Sequence, residues 1–557
     1  MNPTTLGIPK QFADDAEELQ DLLRHRPTLQ PEDVLVCLGR FEDNVSQIDT
    51  ELHRLRLEIN LPEEKHQWMA RYVKAGRSLL APICTLPAEL LQHIFQLCCE
   101  DGISIIVRQG HHATPQPIVL SRVCNLWWGL TTSLPNLWST LRYEIYRNES
   151  VEEGDRCRRI TDLFLQRAQH APLALSFNVP QLMENITHME PTLDKLCRHA
   201  AQWTSVSLAI PSVFLQQPVF YSLKGKLQNL RMIRFLEYAH HDLGKFLSIL
   251  DFLGPCPALR VADLDFCIDR TPDRLPAIPW SQLTSLVLAP CSGTPSLSYI
   301  IPLCHNLTSL TVEVHGHWTE TSRDIRTMTT LRSLTVNAVR RQSPVFQEFF
   351  QRFTFPNLQF LGMSNAINSY GSVKAEEILS NVINSYGSVE KEEMSAVIEC
   401  LRRSSCPLHS LFLDNCPFDV EQVVQLFQNL PHLSSLHLRE IPGYFQDDLI
   451  YTPHLFRRLG FEQSRPPLLP HLTKLKLTVN VNTLPNSDAL FEVVTSRRNP
   501  GFTTAAPDVE RLQVLEATFL NKERTPPLVP KGLERLESLR EGGLKVIIFL
   551  GVQRRFW

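Results

Sequence analysis

Along the second half of the chain, apolar residues fall into a recurring unit, L-x-x-L-x-L. It reads Leu283-x-x-Leu286-x-Leu288, Leu307-x-x-Leu310-x-Val312 and Leu331-x-x-Leu334-x-Val336, with first leucines 24 residues apart twice. Looser copies start at Trp203, Leu230, Leu259, Leu358, Leu408, Leu433, Leu472, Val509 and Leu544. The alternation inside each unit predicts a short strand with one buried face. Another apolar residue stands three places before many of the first leucines, at Cys256, Trp280, Cys304, Met328, Phe355, Leu430 and Leu469. Proline often follows it (Pro257, Pro356, Pro431, Pro470) or stands close before the strand (Pro507), which ends any preceding helix there. Linkers such as Val420–Phe427 carry helical spacing. A strand and a helix repeating every 20–50 residues predict a stacked α/β array with a parallel sheet on one side and helices on the other. The array is expected over 201–557, after a helical connector at 146–200. Its period is interrupted between Leu358 and Leu408, where INSYGSVKAEEILSNV (367–382) is followed by INSYGSVEKEEMSAVI (383–398), a tandem duplication read as a tolerated insertion. Gly460–Pro467, Asn482–Asn486 and Ser496–Pro507 read as loops.

The first third has other periods. Residues 1–33 are polar, with an acidic run at Asp14–Glu18, and predict a loosely ordered tail. Over 34–79, Leu38, Phe41, Val45, Ile48, Leu52, Leu55 and Ile59 alternate spacings of three and four until Pro62. That seam fits two arrangements: an amphipathic helix lying on the segment that follows, or a coiled coil joining two chains through residues 38–59. Lys65–Leu80 predicts a second helix.

The segment 80–145 is denser in large apolar residues. Leu86-Pro87-Ala88-Glu89-Leu90-Leu91-x-x-Ile94-Phe95 predicts a helix opening near Pro87, with Leu90, Leu91, Ile94, Phe95 and Cys98 on one stripe. Within Leu120-Ser121-x-Val123-Cys124-x-x-Trp127-x-x-Leu130, the spacing of Val123, Trp127 and Leu130 predicts a second short helix, and Pro135 starts a third carrying Trp138 and Leu141. Three short helices cannot bury this much Leu, Phe and Trp unaided, and exposed apolar surface of that kind marks interaction sites. In order and spacing, LPAELLxxIF, LSRVCxxWxxL and LW closely resemble the F-box. A coiled helix just upstream is similar to F-box proteins of mushroom-forming fungi. The match departs in one place: nineteen residues, Cys99 to Pro117, separate the first two helices, where the family has a few. The L-x-x-L-x-L units resemble leucine-rich repeats, with Cys267, Cys291 and Cys416 where that family carries Asn or Cys.

Composition narrows the chemistry. Apolar residues are 43% and charged residues 20% of 557, which is globular, and a formal net charge of −4 argues against nucleic acid held by global charge. No apolar run reaches membrane-span length, and the N-terminus lacks an apolar signal core, so a cytoplasmic or nuclear protein is expected, without membrane contact. Fourteen scattered cysteines read as small core hydrophobes in a reducing compartment. Asn-x-Ser/Thr at Asn44, Asn148, Asn185 and Asn306 reads as chance. There is no phosphate-binding G-x-x-x-x-G-K-[ST], no G-x-S-x-G and no H-E-x-x-H. Cys98, Cys99, His111 and His112 match no closed zinc spacing, and Asp263 and Asp265 share a strand face without further acid–base partners. No cofactor, metal or catalysis is expected.

The F-box resemblance implies contact with a Skp-type adaptor, and through it a cullin. The matching positions are Leu86, Pro87, Glu89, Leu90, Ile94, Phe95, Val123, Trp127, Leu130 and Trp138. A substrate receptor of a Skp–cullin–F-box ubiquitin ligase is the leading expectation. The alternatives are an adaptor-bound leucine-rich scaffold with no degradative role and an intracellular immune-type receptor, against which the missing phosphate loop argues. The target protein would dock on residues pointing away from the buried leucines. Those run from Val261, Asp263 and Asp265 through Ser285, Val287, Ser309, Thr311, Ser333 and Thr335 to Phe360, Ser410, Phe412, Ser435 and His437, then Lys474, Lys476 and Arg511. Phe360, Phe412 and His437 would anchor a target, and Lys474, Lys476 and Arg511 would attract an acidic or phosphorylated segment, on a face grading from acidic to basic.

Overall fold

The L-x-x-L-x-L leucines line up across one sheet. A computed structural model of the chain describes residues 35–36, 38–40, 42–54, 65–66, 68–70, 73, 82–99, 103–107, 114–145, 151–179, 189–210, 218–236, 250–265, 277–292, 295–315, 325–339, 345–365, 389–416, 418–440, 453–460, 466–480, 487–498, 509–521, 540 and 543–552. The 1–33 tail, Phe41, Leu55, Ile59, His111, His112, Cys267, the 367–388 part of the duplication and the 482–486 loop lie outside them. The chain divides into two units, Met1–Ile94 and Phe95–Trp557.

The second unit is α/β. Among the described residues it holds a 15-stranded sheet whose strands follow chain order, as in an α/β solenoid. The strands are β1 (Ile103–Val107), β2 (Thr140–Ile145), β3 (Leu173–Asn178), β4 (Trp203–Ala209), β5 (Met232–Leu236), β6 (Val261–Asp265), β7 (Ser285–Ser292), β8 (Ser309–His315), β9 (Ser333–Val339), β10 (Phe360–Asn365), β11 (Ser410–Asp414), β12 (Ser435–Glu440), β13 (Lys474–Asn480), β14 (Val514–Asn521) and β15 (Lys545–Val552). Every neighbouring pair is parallel. Leu286, Leu310, Leu334, Leu361, Leu411, Leu436, Leu475 and Leu515 stand opposite one another in sequence, all buried. A one-residue slip of any strand would turn its leucines to the other face, so this row fixes the register. Fully burying each is worth about 1.5–3 kcal/mol.

Each turn into a strand has its own supports. The residue three places before the first Leu is buried in every case quoted above. Asn229, Asn306 and Asn357, each just before a first Leu, donate their side-chain amides to Ala201, Ser281 and Thr329 carbonyls of the preceding repeat, at 2.7–2.8 Å. Asn306 is thereby a structural residue. Cys416 donates its thiol to the Met363 carbonyl one repeat back, at 3.2 Å.

Labelled helices are α1 (Ala88–Cys99), α2 (Gln116–Ser121), α3 (Asn125–Thr132), α4 (Val151–Ala168), α5 (Val420–Gln428) and α6 (Ser487–Arg498). Asp419 caps α5 by accepting from the Gln422 backbone N–H while the Gln422 side chain accepts from the Asp419 N–H, a reciprocal capping box. Arg497 of α6 is fully buried and donates to the carbonyls of Leu459 (2.6 Å), Leu469 (3.0 Å) and Leu468. Burial pushes its pKa down to about 10, so it stays a cation at neutral pH, held by carbonyl dipoles.

The sheet begins far before residue 201. Part of the insertion after Cys99 is β1, Leu141 lies on β2 and not in a third helix, and the connector 146–200 contributes β3 between helices. The third helix shrinks to a 3-10 turn at Pro135–Trp138; the second is α3, which starts at Asn125 and so leaves Val123 in the turn after α2. In the first unit, residues 42–54 are helical, with Val45, Ile48 and Leu52 exposed.

Candidate functional site

Two surfaces carry the residues singled out from sequence. The first is the helical stretch around α1–α3. Pro87 stands just ahead of α1, and its carbonyl accepts from the Leu90 and Leu91 N–H groups at 3.1 and 3.2 Å, so it caps the helix from outside. In the first unit Leu86 and Ile94 are half-buried, while Pro87, Glu89 and Leu90 are exposed. In the second unit Phe95 and Trp138 are buried, Trp127 and Leu130 half-buried, and Val123 exposed.

The interior of this stretch is well tied. Phe95 lies 4.8 Å from Trp127, ring centre to ring centre, and Trp138 lies edge-on to Phe164 of α4 at 5.0 Å. The Trp138 indole N–H donates to the Thr131 carbonyl at 2.8 Å. Arg167 of α4 holds its guanidinium 5.7 Å from the Trp138 ring and 5.9 Å from Trp128, a cation–π contact with both. Phe95 and Trp138 therefore build the segment and are not free to dock a partner.

Several apolar side chains remain outside, interleaved with exposed Arg122 and Asn125. Val123 is 57% exposed, Leu126 52% and Trp128 54%, and Leu97 and Val119 are exposed as well. Val119, Leu126 and Trp128 were not picked out from sequence. No spacing marks them together, because Val119 lies on α2, Val123 in the turn and Leu126 and Trp128 on α3.

The second surface is the sheet face opposite the leucine rows. Val261, Ser285, Ser309, Ser333, Phe360, Ser410, Ser435 and Lys474 form one row of register partners. Asp263, Val287, Thr311, Thr335, Gly362, Phe412, His437 and Lys476 form the next. Phe412 and His437 are neighbours and stack at 4.4 Å. Phe360 leans over Gly362: a Cβ there would meet its ring at 3.3 Å and Thr335 Oγ1 at 3.0 Å. The glycine leaves room for the Phe360 ring beside the Phe412 strand.

Two expectations about this face are corrected. Arg511 is not in either row. Strand β14 takes its buried positions from Leu512, Leu515 and Ala517, so the unit begins three residues later than Val509 and Glu516 sits beside Lys476. The grading from acidic to basic is also compensated locally. Asp263 pairs with Arg234 across β5–β6 at 2.5 Å, Asp414 with Arg439 at 3.6 Å, and Glu516 with Lys474 at 3.0 Å and Lys476 at 3.3 Å. Hydrogen bonding from Lys474 holds the Glu516 carboxyl below its usual range. Burial raises Asp414 against the opposing pull of Arg439 and Ser364. Burial first, then Lys476 and Arg439, push His437 down to about 4, so it is neutral at physiological pH.

Among the described residues no group of three His, Cys, Asp or Glu could hold a metal ion, and no described helix is long and apolar enough to cross a membrane. No family model matches the chain, and neither does any curated protein.

Proposed function

We propose that the chain is the substrate-recognition subunit of a Skp–cullin–F-box ubiquitin ligase. The observation that carries this is the order and spacing of Leu86-Pro87-Ala88-Glu89-Leu90-Leu91-x-x-Ile94-Phe95 and Leu120-Ser121-x-Val123-Cys124-x-x-Trp127-x-x-Leu130, followed by Leu137-Trp138. Its support is the exposed set Val123, in the turn before α3, and Leu126 and Trp128 on α3, apolar side chains of the kind that docking partners cover. The adaptor covers that surface and brings the cullin. The sheet face holds the target protein, so the chain positions and performs no bond chemistry.

Ubiquitin transfer with purified components tests the reading. The full chain, the adaptor, a cullin complex and a charged conjugating enzyme should modify a bound target only when adaptor and chain are both present. Adaptor binding without any transfer would reduce the chain to a scaffold, and no adaptor binding would remove the reading.

A further inference from the structure

The strip from β10 to β14 joins a flat aromatic platform to a cationic edge. The rings of Phe412 and His437 stack at 4.4 Å with 23° between planes, and both are half-exposed. Phe360 extends the platform on the far side. Next to His437 in the same row comes Lys476, with Lys474 two residues back on the same strand. Parallel strands lie about 4.8 Å apart, so Phe412 and Lys476 are separated by about 10 Å, a distance that three or four residues of extended peptide span.

Charge on the strip runs against that of the molecule. On the outward face of β10–β14, Arg439, Lys474 and Lys476 stand against Asp414 and Glu516, three positive and two negative, which leaves +1. The whole chain carries −4. Glu516 lies between the two lysine ammonium groups at 3.0 and 3.3 Å. It holds them in place and leaves the trio a net +1, which attracts an anion.

We propose that this strip takes an extended acidic peptide, one aromatic or aliphatic side chain on Phe412 and His437 and carboxylates three to five residues away against Lys474, Lys476 and Arg439. The inference rests on the sheet being the target-binding face and names the class of target segment it accepts. Stacking fixes the apolar anchor, and the cationic edge fixes the direction of the acidic half.

The test is a degenerate peptide library bound to the full chain, read by fluorescence anisotropy. One arm carries Phe or Leu followed three to five residues later by two Asp or Glu. The other arms replace the acids by Asn/Gln, by Lys, or by phosphoserine. The acidic arm should bind at least tenfold tighter than the Asn/Gln arm and weaken with added salt. Lys474→Gln/Lys476→Gln should remove that preference in a chain that still melts cooperatively, at a lower temperature because Glu516, 17% exposed, loses both ammonium partners. Phe412→Ala should remove the preference for Phe or Leu. Equal binding of the Asn/Gln arm, no binding by any arm, or a phosphoserine arm tenfold tighter than the acidic arm would overturn the proposal. Adaptor binding measured on the same preparations separates the two readings. A parent chain that lacks the peptide preference but binds the adaptor defeats this inference alone, and a parent chain that shows the preference but does not bind the adaptor defeats the ligase reading alone.

Discussion

Replacing Val123 and Leu126 together by alanine separates a docking surface from a core. Their side chains are 57% and 52% exposed, so the free chain has little packing to lose there. Surface changes of this kind stay within about 0.5 kcal/mol of the parent. A partner that covers both residues removes the remaining half of each from water. Full burial of a Val or Leu is worth about 1.5–3 kcal/mol, so half is about 0.8–1.5 kcal/mol each. Alanine keeps the Cβ, which puts the loss for the pair at about 1.4–2.8 kcal/mol, or roughly tenfold to a hundredfold in affinity. Phe95→Ala is the contrast. Phe95 is fully buried 4.8 Å from Trp127, and its removal should cost about 3–5 kcal/mol of folding stability. The assay is calorimetric titration of purified Skp-type adaptor into each chain, with thermal melts alongside. An affinity within threefold of the parent for the Val123/Leu126 variant, at unchanged melting temperature, refutes the placement of the docking surface.

Arg497→Leu should destabilise the second unit by about 2–5 kcal/mol in urea unfolding, because three carbonyls lose a charged donor; a loss under 1 kcal/mol would show that water replaces the guanidinium. His437 should titrate near pH 4 by NMR, since burial and the charges of Lys476, Arg439 and Lys474 outweigh Glu516. Its contribution to stability should fall as pH drops from about 6.5 to about 4 and level off below, because the unfolded chain takes up the proton first; a midpoint above 6 would contradict this. Ile48→Lys/Leu52→Lys should turn a dimer into a monomer by light scattering if the exposed 42–54 stripe pairs two chains, and a parent chain already monomeric at micromolar concentration would end that idea.

The array was legible wherever its alternation was strict. Leu286, Leu310 and Leu334 stand in one row because their units are alike in spacing, and no other register buries all three. Strand β1 was hidden because Ile103-Ser-Ile-Ile-Val107 is a short apolar run without clear period, inside what reads as a loop. Strand β2 was hidden because Trp138 and Leu141 are also three apart, and helical spacing competes with the alternation Leu141, Tyr143, Ile145. The displaced unit at β14 came from Val509 and Leu512, whose spacing copies that of Leu512 and Leu515. Cross-strand pairs such as Arg234–Asp263 and Lys476–Glu516 join residues 29 and 40 apart and emerge only once the register is known. In the helical stretch the apolar positions were visible, but which of them face inward was not: Phe95 and Trp138 are interior, and Leu126 and Trp128 are outside.

Adaptor binding is tested most directly by mixing the purified full chain with a purified Skp-type adaptor on a sizing column with light scattering. A stable complex is predicted for the parent, lost with Leu86→Ala/Pro87→Ala while the melting of the sheet unit is unchanged. A parent chain that elutes apart from the adaptor, or a complex that survives that double substitution intact, would contradict it.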